Sequence, residues 1–139
     1  MARFRARQRP TVSNLTLFSG LDKEQRANVD RLGTPAQIEP GQVLIYQGRP
    51  GTEFFVVLSG FAVCLTDGRI VARFGAGDFF GEMALLDGGP RTATVAAVTP
   101  MEVLVFTPGE FTALVQASGE VAHRVLKQLA GRLRAASAA

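Results

Sequence analysis

The sequence predicts a mainly β domain with flanking helices: an antiparallel β-roll or jelly-roll barrel (a double-stranded β-helix), with a helical segment before it and two helices after it. Three observations predict it. Between residues 42 and 107, six short runs rich in β-branched and aromatic residues follow one another, and turn signals separate nearly all of them. On either side the apolar spacing changes to a helical period. The 139 residues are 47% hydrophobic and 19% charged, which suits one domain with one core and excludes a disordered chain.

Residues 1–13 read as a flexible, Arg-rich leader, the domain proper spans 14–134, and 135–139 read as a tail. Leu15, Leu17, Phe18 and Leu21 supply apolar anchors, and Asp22 can cap a helix running to about Leu32, where Gly33, Thr34 and Pro35 stop it. The strands read as Gln42–Tyr46, Phe54–Leu58, Phe61–Thr66, Arg69–Phe74, Thr92–Val98 and Met101–Thr107. Ser59-Gly60 and Asp67-Gly68 suit tight hairpins between them. After Pro108, residues Phe111, Leu114 and Val115 mark a short helix that Ser118-Gly119 interrupts. Val121, Val125, Leu129 and Leu133 then recur every four residues, a stripe fit to pack on the barrel or on a second copy of the chain as a homodimer.

The pI of about 9.8 suggests nucleic acid, but the charge is local. Arg3, Arg5, Arg7 and Arg9 hold it; without them 11 basic residues face 12 acids. No apolar run approaches the ~18 residues of a membrane span, and no apolar region follows the basic start as in a signal peptide. Cys64 stands alone, so no internal disulfide forms, and a reducing, cytoplasmic setting fits. His123 is the single histidine and sits on a predicted helix. No nucleophile–base pair, metal cluster or phosphate loop of the nucleotide-hydrolase type is evident, so the expectation is no enzyme, no metal and no cofactor.

One segment does not fit a plain hairpin: Gly75 to Arg91. Gly81-Glu82-Met83-Ala84-Leu85-Leu86 holds helix formers after a glycine, and Asp87-Gly88-Gly89-Pro90 ends them. A helix start offers free N–H groups to an anion, and Arg91 can return its guanidinium to the same spot. Phe79 and Phe80 would shield the place from water. A carboxylate at Glu82 would repel an anion, unless the ligand also donates a hydroxyl. A sugar phosphate meets both demands.

Phe-Gly-Glu-Met-Ala-Leu-Leu followed by Pro-Arg-Thr-Ala-Thr-Val resembles the phosphate-binding cassette of cyclic-nucleotide-binding domains, as in the catabolite activator protein, the protein kinase A regulatory subunit and cyclic-nucleotide-gated channels. Leu17-Phe18-Ser19-Gly20-Leu21, Glu39-Pro40-Gly41-Gln42-Val43-Leu44, Gln47-Gly48 and Val57-Leu58-Ser59-Gly60 extend the likeness over residues 14–134. The resemblance implies a sensor of cAMP, ahead of cGMP, with Gly81, Glu82, Met83, Ala84, Arg91, Thr92 and Arg132 at the ligand. Arg91 would pair with the cyclic phosphate and Glu82 would accept the ribose 2′-hydroxyl. Gly81 would admit the ligand to the backbone, Ala84 would give an amide, and Thr92 would add a hydroxyl. Met83 reads as a core side chain within the cassette. Val63 and Val71 would line the base. The last helix would close as a lid through Leu129, Arg132 and Leu133, with Arg132 stacked on the purine. On this reading Arg91→Ala leaves the fold intact, and Glu82→Gln costs less than Arg91→Ala.

The expected partners are a cyclic nucleotide and an effector domain or protein, without sequence-specific nucleic-acid binding, since no helix-turn-helix follows the last helix. The alternative is a degenerate member that binds no nucleotide and serves as an interaction module. A metal enzyme of the cupin type would need several inward histidines.

Overall fold

The computed structural model describes residues 16–82 and 88–137. The Arg-rich leader and the cassette residues Met83 and Ala84 lie outside the described residues. A 3-10 turn at Thr16–Phe18 leads into α1 (Lys23–Arg31). Asp22 caps α1 in a reciprocal box with Gln25: its side chain accepts the Gln25 N–H, and the Gln25 side chain accepts the Asp22 N–H. Among the described residues eight strands follow: β1 (Thr34–Ile38), β2 (Val43–Ile45), β3 (Phe54–Ser59), β4 (Ala62–Thr66), β5 (Arg69–Phe74), β6 (Phe79–Phe80), β7 (Thr94–Ala97) and β8 (Met101–Phe106). They form two four-stranded antiparallel sheets, ordered β1-β8-β3-β6 and β2-β7-β4-β5. This is the expected jelly-roll. Two helices close the chain, α2 (Pro108–Ala117) and α3 (Gly119–Ser137).

Two strands escape the sequence pattern. β1 carries Pro35, and the sequence signal there reads as a helix stop. It is an edge strand of its sheet, where a missing N–H costs no ladder bond. β6 is only Phe79–Phe80, too short to show alternation. The β4–β5 turn matches expectation: Asp67 and Gly68 both have positive φ (52° and 78°), as a two-residue hairpin needs. α3 runs to Ser137, past the boundary at 134, because alanine continues a helix readily.

β3 explains how two cores coexist. Its run Phe54-Phe55-Val56-Val57 is buried on both faces. Phe54 and Val56 face the helices with Phe18, Phe106, Leu114 and Val125; Phe55 and Val57 face the space between the sheets with Phe80, Val95 and Val103. Burying such side chains stabilises the fold by about 1.5–3 kcal/mol each. Val121 and Val125 pack into this domain's own helix-side core, so that half of the α3 stripe is engaged within the chain. Leu126 and Leu133 are exposed, the latter against its expected place under the lid.

Among the described residues no helix is long and apolar enough to cross a membrane, and no group of metal-ligating side chains gathers.

Candidate functional site

The two phenylalanines before Gly81 fix the cassette from opposite sides. Phe79 enters the helix-side core, 5.4 Å from the Phe54 ring, while Phe80 enters the inner core, stacked 5.0 Å from Phe55 and 5.1 Å from Phe74. Gly81 takes φ +98°, and a Cβ there would lie 2.6 Å from the Glu53 carbonyl oxygen and 3.1 Å from Arg91 Nη1. Both the conformation and the space demand glycine. The crowding comes from Arg91 and Glu53, a reason additional to the ligand approach expected from the sequence.

Glu82 follows with 1% exposure, and Arg91 has 4%. Arg91 Nη1 donates to the Gly81 carbonyl at 3.1 Å, and Nη2 donates to the Glu53 carbonyl at 2.8 Å. Its main chain is held as well: its carbonyl accepts the Gly48 N–H, and its N–H donates to the Arg49 carbonyl. Burial pushes the guanidinium pKa down, while the Glu53 and Glu82 carboxylates push it back up, and the group stays a cation at neutral pH. These contacts correct one expectation. Arg91 is built into the fold, so truncating it costs stability as well as any ligand contact.

α3 reaches the same place. Arg132 donates from Nη1 to Glu82 Oε1 and from Nη2 to the Phe79 carbonyl. Its guanidinium carbon lies 5.1 Å from the Phe79 ring centre and 5.4 Å from that of Phe74. The partner of Arg132 is therefore the cassette itself. A groove of about 420 Å³ runs beside this contact, lined by Arg73, Phe74, Asp78, Gln128, Gly131 and Arg132. One helical stretch earlier, Arg124 donates to the Leu17 and Ser19 carbonyls and ties α3 to the N-terminal segment.

The structure thus brings Gly81, Glu82, Arg91 and Arg132 together. Thr92 is exposed beside Arg91. Met83 and Ala84 lie outside the described residues. Val71 is 60% exposed beside a register shift in β4–β5. The residues that pack on the inner core from this wall are the cross-strand pair Cys64 and Ala72, not Val63 and Val71. Strand alternation gives this only once the register is known. The sequence reading also missed Gly51 and Glu53, which touch Arg91. Two buried polar atoms lack a hydrogen-bond partner among the described residues: Glu82 Oε2 and Arg91 Nε. One is an acceptor and one a donor, both in the cassette.

Burial pushes the Cys64 thiol pKa up; Arg132 pulls it down and Glu82 adds to the rise. The folded protein therefore holds this proton more tightly than the unfolded chain. Its contribution to stability is complete below the ordinary thiol range and is lost as pH rises from there through the raised value of the folded protein. We expect iodoacetamide to alkylate Cys64 more slowly at pH 8 than it alkylates glutathione, and at a normal rate in denaturant. A rate equal to that of glutathione in the native protein would place the thiol outside this wall.

The sequence and the fold are similar to those of known proteins. The cyclic nucleotide-binding domain family matches residues 35–118. A cyclic nucleotide-gated potassium channel of Rhizobium etli is 34% identical over 116 residues, which cover 84% of this chain and 32% of the channel. The chain thus spans about a third of that relative's length. The Thermus thermophilus catabolite activator protein superposes with a TM-score of 0.77 at 34% identity, over 87% of this chain and 59% of that one. PKAR CBD2, solved with Sp-2Cl-cAMPS bound, gives 0.77 at 26% identity, over 93% and 88%.

Proposed function

The chain belongs to the cyclic nucleotide-binding domain family, and we propose that it is a sensor that binds cAMP in preference to cGMP and passes the binding on through α3. Domains of this family are regulatory and not catalytic. The observation that carries the reading is the pair of unpartnered buried atoms, Arg91 Nε and Glu82 Oε2. Native proteins seldom leave such atoms unpaired. A cyclic phosphate would take the donor, and a ribose 2′-hydroxyl would give its proton to the acceptor. Arg132 supports the same reading, since it offsets the Glu82 charge that would otherwise oppose an anion. The preference for adenine is supported by the relative solved with Sp-2Cl-cAMPS.

The signal path follows from α3. Arg132 ties that helix to Glu82, so a ligand that engages Glu82 alters the helix's hold on the cassette. The nucleotide then shifts the population between two settings of α3, and an effector domain or protein reads the helix. No enzymatic step is assigned to the domain, and its setting is cytoplasmic.

Thermal melting tests this directly. A ligand at about 100 times its Kd adds about 2.7 kcal/mol to unfolding, on the order of 10 °C for a domain of this size. We expect cAMP to raise the melting temperature more than cGMP, and 5′-AMP to have almost no effect. No shift with any of the three, at millimolar concentration, would favour a module kept for protein contacts.

A further inference from the structure

The structure assigns a positioning role to Gly51: it leaves the space in which Arg91 is seated, and the segment from Gly48 to Glu53 is the seat that aims this arginine at an anion. The inference rests on the cyclic-nucleotide reading for its consequence, and on geometry alone for the seat.

Four contacts define the seat. Gly48 N–H donates to the Arg91 carbonyl at 2.8 Å, and Arg91 N–H donates to the Arg49 carbonyl at 3.0 Å. The Glu53 carbonyl accepts from Arg91 Nη2 at 2.8 Å. A Cβ on Gly51 would lie 2.4 Å from Arg91 Nε and 3.0 Å from its Cζ and Nη2. The backbone of Gly51 is outside the left-handed region, so its conformation admits any residue. The three atoms nearest a side chain at position 51 all belong to the arginine. Nε lies midway along that side chain, and the guanidinium beyond it is fixed by two carbonyls. It cannot move aside without losing a hydrogen bond and its aim. Nε is also the donor left without a partner, so the crowded atom is the one offered to the ligand.

A methyl group at position 51 therefore acts on the ligand through Arg91. A displacement of about 1 Å at such a group can cost up to roughly 100-fold, so we expect Gly51→Ala to weaken cAMP binding about 10- to 100-fold. Calorimetric titration of Gly51→Ala with cAMP reads the loss, and affinity within about 2-fold of wild type would overturn the role. A cycle of Gly51→Ala in the wild-type chain and in the Arg91→Ala background, read by urea denaturation without ligand, isolates the clash, because alanine ends at Cβ and leaves nothing at the place of Nε. The expected result is a clear fall of the urea midpoint in the first background and almost none further in the second. Equal falls in both, or none in either, would overturn the role. If Gly51→Ala fails to fold alone, folding restored by Arg91→Ala reads the same clash, and a double variant that stays unfolded counts against it. The Arg91 Nε–H signal in a nitrogen–proton correlation spectrum reads the seat without ligand. It should shift in Gly51→Ala; an unchanged signal would refute the seat. A wild-type chain that binds no cyclic nucleotide would refute the functional reading instead, with the seat still judged by that signal.

Discussion

Arg91→Ala is expected to weaken cAMP binding by about 30- to 4,000-fold, which corresponds to about 2–5 kcal/mol for losing one side of a buried charged contact. The magnitude follows from burial. At 4% exposure the guanidinium is already removed from water, and its remaining donors have little else to bind. The variant also leaves the Gly81 and Glu53 carbonyls without their donor, so unfolding free energy should fall by about 1–3 kcal/mol. Titration and urea denaturation on the same preparation separate the two losses. Affinity within 3-fold of wild type would remove Arg91 from the site.

Arg132→Ala is expected to have the largest effect on stability. It takes the cation from Glu82, a carboxylate whose side chain is 2% exposed. Breaking a fully buried pair costs about 3–5 kcal/mol. The Arg132 side chain is 28% exposed and water screens part of the charge, so we expect about 2–3 kcal/mol. Much of that loss is the charge left unpaired on Glu82. Adding Glu82→Gln to the same chain should therefore recover half or more, although it removes another native group. A urea midpoint for Arg132→Ala equal to that of wild type, or a double variant weaker than the single one, would contradict the contact.

Much of this arrangement was legible in the sequence, and the exceptions have physical causes. The hairpin at Asp67-Gly68 and the cap at Asp22 are local, set by residues within a few positions of each other. The meeting of Gly81, Glu82 and Arg91 was legible because they stand in one short segment. β1 was not, because a proline within a sheet is tolerated mainly on an edge strand, and an edge is defined only by the assembled sheet. The seat at Gly51 was not, because Arg91 lies 40 residues further on and the contact exists only when the loop after β2 meets the strand start before β7. Arg132 was placed at the ligand on the strength of the resemblance. That its carboxylate partner is Glu82 required the pose of α3. Cys64 and Ala72 pack on the inner core instead of Val63 and Val71 because Ala62, Cys64, Ala72 and Phe74 share the inward face of β4–β5, and which face turns inward is settled only by the assembled sheets.

Isothermal titration of protein stripped by unfolding and refolding, with cAMP, cGMP and 5′-AMP in turn, tests the central claim most directly. The account predicts binding at micromolar Kd or tighter for cAMP, weaker binding for cGMP, and much weaker binding for 5′-AMP, whose open phosphate carries an extra charge and no ring. Heat of binding for none of the three would contradict it, and would leave the buried donor of Arg91 and acceptor of Glu82 to be explained by some other ligand.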